Sequence, residues 1–127
     1  MSYADKSAEK WFEGEKALLH IVGARLTSVQ FVLNYLILGF DEKGALTTLV
    51  WPEVVKGTSI SRIGSLEYRN DLCALIERFV DTATIQQDET INILFDNGIE
   101  LLIRLRSYTG MGERMILNVP KGSFRVF

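Results

Sequence analysis

Between Thr90 and Leu105 the chain reads TINILFDNGIELLIRL. Ile91, Ile93 and Phe95 alternate before Asp96-Asn97-Gly98; Ile99, Leu101, Ile103 and Leu105 alternate after it. Alternation puts each set on one face of a strand. A bend closed by Asn97-Gly98 alone would pair Asp96 with Ile99 and set Phe95 against Glu100. A bend closed by all three residues pairs Phe95 with Ile99, Ile93 with Leu101 and Ile91 with Ile103, so the apolar side chains share a face. A slip of one residue turns a strand inside out, so burial selects the three-residue bend. Gly98 suits it, because such a loop ends in a left-handed residue. The opposite face, with Asn92, Leu94, Glu100, Leu102 and Arg104, is mixed and should be partly exposed.

Composition bounds the rest. A chain of 127 residues argues a single domain, residues 1–127. It is long enough to bury a core without covalent staples. A net charge of −2 gives no footprint for nucleic acid or an anionic membrane. No apolar run is long enough for a membrane span, and the charged start MSYADKSAEKW lacks the apolar centre of a signal peptide. The lone cysteine, Cys73, allows no internal disulfide. Together these features predict a cytoplasmic protein.

In chain order, residues 5–22 read as a helix with Trp11, Leu18, Ile21 and Val22 on one stripe, and Gly23 suits a left-handed cap. Thr27 to Phe40 reads as one long strand, apolar on both faces and therefore central. Asp41 to Gly44 turns, and Ala45 to Trp51 returns until Pro52 stops it. Residues 53–67 suggest a short strand broken by Gly57 and Gly64. Leu66 to Phe79 reads as the second helix, with Leu72, Leu75, Ile76 and Phe79 as its buried stripe and Ser65 or Asn70 as cap. Val80 to Gln86, Met115 to Val119 and Phe124 to Phe127 complete the strands, the last two joined by a turn at Pro120-Lys121-Gly122.

The halves resemble one another. Sliding the chain by 54 positions lays LLHIVGARLTSVQFVLN on LCALIERFVDTATIQQD, so that Leu18 meets Leu72, Ile21 meets Leu75, Leu26 meets Val80 and Phe31 meets Ile85. A one-residue adjustment sets Phe40-Asp41 on Phe95-Asp96. The expected fold is therefore α+β: an antiparallel sheet of four to six strands with two helices on one face, as two helix-hairpin pseudo-repeats over about 17–51 and 71–105. Two helices leave one sheet face uncovered, and that face is the expected site of a protein partner or of self-association as a homodimer.

Chemistry-bearing patterns are sparse. One histidine, His20, and one cysteine cannot build a zinc site, so no metal or cofactor is expected. His20 falls on the polar side of its helix, and Cys73 reads as a packing residue. Asp41-Glu42, Asp88-Glu89, Asp96 and Glu100 stand at turns, where carboxylates bond local backbone more often than they catalyse. Gly110-Met111-Gly112-Glu113 precedes a strand rather than a helix, which excludes a phosphate loop. Arg104, Arg106 and Tyr108 form only a fragment of a basic, aromatic stripe. No catalytic residue emerges. Tyr35, Trp51, Cys73 and Glu113 are the residues best suited to line a pocket or an interface.

NYLILGFD at Asn34–Asp41, YRNDLCALIE at Tyr68–Glu77 and FDNG at Phe95–Gly98 resemble a group of small bacterial α+β proteins of uncharacterised function, with Y-R-x-x-L-C-x-L-I and F-D-x-G motifs. Asn34 stands where the group has Asp, Glu77 where it has Gly, and Met111-Gly112 precede Glu113 where the group has Pro, which removes support for a shared site at Glu113. In size and acidic character the group is similar to immunity proteins that neutralise bacterial toxins. The resemblance implies a non-catalytic, protein-binding module. The alternatives are a small-molecule binder or enzyme with a pocket between helices and sheet, and a structural homo-oligomer.

Overall fold

A computed structural model describes residues 14–119 and 124–127. The bend at Asp96-Asn97-Gly98 closes as burial requires. Strands β7 (Thr90–Phe95) and β8 (Glu100–Arg104) pair Ile91 with Ile103 and Ile93 with Leu101. Phe95 N–H donates to the Ile99 carbonyl at 2.9 Å and Gly98 N–H to the Phe95 carbonyl at 3.0 Å. Gly98 has φ +84°, the left-handed conformation that closes such a loop. Ile91, Ile93, Phe95, Leu101 and Ile103 are all fully buried.

Among the described residues the expected single sheet is replaced by two five-stranded antiparallel sheets. The first has the order β1-β2-β3-β9-β10: β1 (Leu26–Val32), β2 (Tyr35–Phe40), β3 (Gly44–Thr48), β9 (Met115–Asn118) and β10 (Phe124–Val126). The second has the order β5-β4-β8-β7-β6, adding β4 (Glu53–Lys56), β5 (Ser59–Ser61) and β6 (Val80–Ile85). Their inner faces share one core, from Leu36, Leu38 and Leu46 to Ile93 and Leu101. The apolar faces therefore cover each other, and helices are not needed as a lid.

The long strand expected over Thr27 to Phe40 is two strands. The chain turns at Leu33-Asn34, so Val32 pairs with Tyr35 and Phe31 with Leu36. A two-residue turn reverses the chain and shifts side-chain parity. Val29 and Phe31 then share a face with Leu36, Leu38 and Phe40, although in one continuous strand they would oppose them. The apolar content on both faces reflects this fold-back rather than a central strand. Residues 53–67 hold a hairpin, β4 and β5, turning at Gly57 with φ +60°.

Helix is scarce. Residues 14–18 are helical and run into a 3-10 turn, Leu19–Ile21. Trp11 and the earlier part of the expected first helix lie outside the described residues, as does the turn at Pro120-Lys121-Gly122. The second helix, α1, covers only Tyr68–Cys73. Its stripe is Tyr68, Leu72 and Leu75, all buried, while Ile76 and Phe79 are partly exposed. Neither Ser65 nor Asn70 caps it: Glu67 is the N-cap and makes no side-chain bond. Glu77, at φ +81°, turns the chain out of the helix toward β6.

The two sheets meet where β1 and β6 begin. The hydrogen bonds there come in pairs, related by the same offset that lays one half of the sequence on the other. Leu26 N–H donates to Arg78 O and Val80 N–H to Ala24 O, each at 2.9 Å. Gly23 N–H donates to Val80 O at 2.8 Å and Glu77 N–H to Leu26 O at 2.7 Å. Arg25 and Phe79 form a bridge between them. Gly23 and Glu77 are both left-handed, at φ +82° and +81°. Each strand carries an irregularity after its first residue, between Leu26 and Ser28 and between Val80 and Thr82. The β4–β5 hairpin leaves β3 and joins β8, and the β9–β10 hairpin leaves β8 and joins β3.

Candidate protein-interaction surface

The tight β1–β2 turn gives Leu33 no strand neighbour, and its side chain is 97 % exposed. Two residues earlier, Phe31 points toward the core side of an edge strand, so its ring is only partly covered. The Trp51 ring stacks on it, with centroids 6.4 Å apart and planes 15° from parallel. Trp51 is fixed by the short β3–β4 connection, where Thr48 Oγ1 accepts from Val50 N–H at 3.1 Å and donates to Val50 O at 2.8 Å. The Arg69 guanidinium stands 5.6 Å from the Phe31 centroid. A cation over an aromatic face at that range is attracted by the ring quadrupole.

Arg69 is placed by α1, and α1 is tied to the segment that forms β4 at both of its ends. Buried Tyr68 donates its phenol proton to the Pro52 carbonyl. Lys56 Nζ meets Asp71 Oδ1 at 2.7 Å. Burial, with the Glu53 carboxylate as a smaller contribution, pushes the Tyr68 phenol well above its ordinary range. The hydrogen bond from Lys56 holds Asp71 below the usual carboxylate range. Ahead of the helix, Ser65 N–H and Oγ both donate to the Arg62 carbonyl, at 2.9 and 2.7 Å, and Tyr68 N–H donates to Ser65 O. These turns leave Ile63 48 % and Leu66 94 % exposed, with Ile60 on β5 at 45 %. The Phe31–Arg69 contact joins the turn carrying Leu33 to the segment carrying Leu66.

Two carboxylates nearby, Asp71 and Glu53, are engaged. Glu53 Oε2 accepts from Arg104 Nε at 3.1 Å and lies 3.6 Å from Arg62 Nε. Its Oε1 is buried and finds no hydrogen-bond partner among the described residues. Elsewhere, Glu89 sits at φ +63° in the β6–β7 turn, 2.6 Å from Arg114 Nη2 and 3.4 Å from Arg106 Nε. The Arg114 hydrogen bond, with help from Arg106, holds Glu89 below the usual carboxylate range. This clamp ties the turn to the segment after β8. Asp88 Oδ1 accepts from Thr90 N–H at 3.1 Å, the backbone role expected of a turn acid. Among the described residues no cluster of His, Cys, Asp or Glu could hold a metal ion, and no helix is long and apolar enough to cross a membrane.

Of the residues singled out by sequence, Trp51 belongs to this stack and Tyr35 begins β2 beside the Leu33 turn. Cys73 is exposed at the end of α1, which corrects the packing role: the buried stripe runs through Leu72, and the next residue turns outward. Glu113 is exposed beside Arg114, whose carbonyl accepts from Leu49 N–H at 2.8 Å. Among the described residues no hydrogen bond, ion pair or ring contact joins any two of Tyr35, Trp51, Cys73 and Glu113. Sequence reasoning missed Phe31, Leu33, Leu66 and Arg69. Only Asn34, a turn former, hinted at the break that exposes Leu33. The outer face of the first sheet bears the uncharged row Gln30, Ile37, Thr47, Ile116 and Val126, of which Ile37, Thr47 and Ile116 are half-buried and Val126 is 40 % exposed. The greatest apolar exposure near a cluster of aromatics is at the Leu33 and Leu66 loops.

Comparison with known proteins yields no matching family model, no matching curated protein and no matching solved structure.

Proposed function

We propose that this chain is a non-catalytic protein-binding module, with its binding surface at the Arg69–Phe31–Trp51 stack and the exposed side chains around it. One observation carries the reading: nearly bare Leu33 and Leu66 each stand within a few residues of the stacked Phe31 and Arg69, whose third member is Trp51. Trp and Arg are enriched among the residues that dominate binding energy, and adjoining exposed apolar residues mark interaction sites more often than single ones do. The module is made of two related helix-and-hairpin units, about 17–51 and 71–105, that exchange their following hairpins. The matched hydrogen bonds at the starts of β1 and β6 support that doubling. An immunity-like role, in which the partner is a toxin, is one form such a module takes.

The test is affinity capture from native cells with the wild-type chain and with a Leu33→Asp/Leu66→Asp variant of equal melting temperature. A stoichiometric protein retained by the first and lost by the second supports the reading. Equal retention by both counts against it. A toxin gene adjoining this one, with toxicity relieved by co-expression, would support the immunity-like form.

A further inference from the structure

We infer that the partner at this surface is a second copy of the chain, docked face to face around Leu66, with Glu67 of each copy meeting Arg69 of the other. The inference rests on the protein-binding reading and supplies the partner's identity. A two-fold interface sets one patch against itself, so the patch must be complementary to itself. A patch of one sign would repel its copy, whereas one with a single cation beside a single anion attracts it.

The segment 60–69 meets that requirement. Its apolar side chains, Ile60, Ile63 and Leu66, are exposed at every third position. Beyond them stand Glu67 and Arg69, both exposed. Among the described residues neither has an ion-pair partner within the chain. The neighbouring cations are committed: Lys56 to Asp71, and Arg62 and Arg104 to Glu53. Glu67 and Arg69 are thus the free charges of opposite sign beside the apolar centre. Arg69 is also held in place, since its guanidinium rests on Phe31. A held guanidinium loses less freedom on binding than a mobile one.

Sedimentation of the full chain at about 50 µM tests this, because a small apolar centre of this kind suits a micromolar rather than a nanomolar dimer. Wild type should sediment as a dimer, and Leu66→Asp as a monomer with the wild-type circular dichroism spectrum. Glu67→Arg and Arg69→Glu should each weaken the dimer about tenfold, because each sets like charges together. The double variant, Glu67→Arg with Arg69→Glu, should recover most of that loss, since the exchanged pair is again complementary. Monomeric wild type would overturn the inference. So would a dimer indifferent to Leu66→Asp, or a double variant no better than its parents. A monomeric wild type whose captured partner is still lost on Leu66→Asp would remove the self-association and leave the protein-binding reading standing.

Discussion

Gly23 and Glu77 offer a direct measure of how strictly the two halves share a backbone. They occupy equivalent positions in the two halves, have φ +82° and +81°, and donate corresponding hydrogen bonds, to Val80 O and Leu26 O. A left-handed residue with a Cβ costs about 1–2 kcal/mol through its clash with the following carbonyl. Glycine avoids that cost but loses more freedom on folding, by about 0.5–1 kcal/mol. The balance favours glycine at either position by roughly 0.5–1 kcal/mol. A Cβ added at Gly23 meets nothing within 4 Å, so no packing effect obscures the result. Gly23→Ala should therefore destabilise by about that amount, and Glu77→Gly should stabilise by a similar amount. Among the described residues Glu77 makes no ion pair whose loss would mask the gain. Urea titration with a shared m-value measures both changes. A neutral or stabilising Gly23→Ala, or a destabilising Glu77→Gly, would refute the reasoning.

Further outcomes follow from the same geometry. Ile93→Ala, at a fully buried site facing Leu101, should cost about 2–5 kcal/mol in urea titration, whereas Leu33→Ser should change stability by less than about 0.5 kcal/mol. Gly44→Ala should be severe, about 3 kcal/mol or more by thermal or urea unfolding, because its Cβ would strike the Asn118 carbonyl and φ is +116°. Glu89 and Asp71 both ionise more readily in the folded chain than in the unfolded one. Their contribution to stability is complete above the unfolded carboxylate range and is lost as pH falls through their lowered folded values. Unfolding midpoints should therefore drop in acid, and Glu89→Gln should flatten part of that slope. Tyr68→Phe leaves the Pro52 carbonyl without its donor and should cost about 1 kcal/mol with the fold intact by circular dichroism.

The readings that succeeded concern neighbours in the chain. The β7–β8 register, the left-handed Gly98 and the turn roles of Asp88 and Asn97 rest on alternation and loop chemistry within a few residues. The failures have a common cause. Apolar alternation from Val29 to Phe40 fits one strand or a hairpin equally, and Leu33-Asn34 is too short a signal to choose. Helix α1 ends at Cys73 although its apolar spacing continues, because Glu77 is drawn into a hydrogen bond with Leu26 of β1, a partner from the other half of the chain. The proposed interaction surface divides in the same way. Trp51 could be nominated as an exposed-capable aromatic, but Phe31 and Arg69 became its neighbours only when β1, the β3–β4 connection and α1 were brought together. Sequence alone determined which side chains must be hidden and where the chain can bend. Tertiary structure decided which hairpin each sheet accepts, because β4 and β9 offer the same backbone donors and acceptors to any open edge, and only the fit of the shared core distinguishes one edge from another.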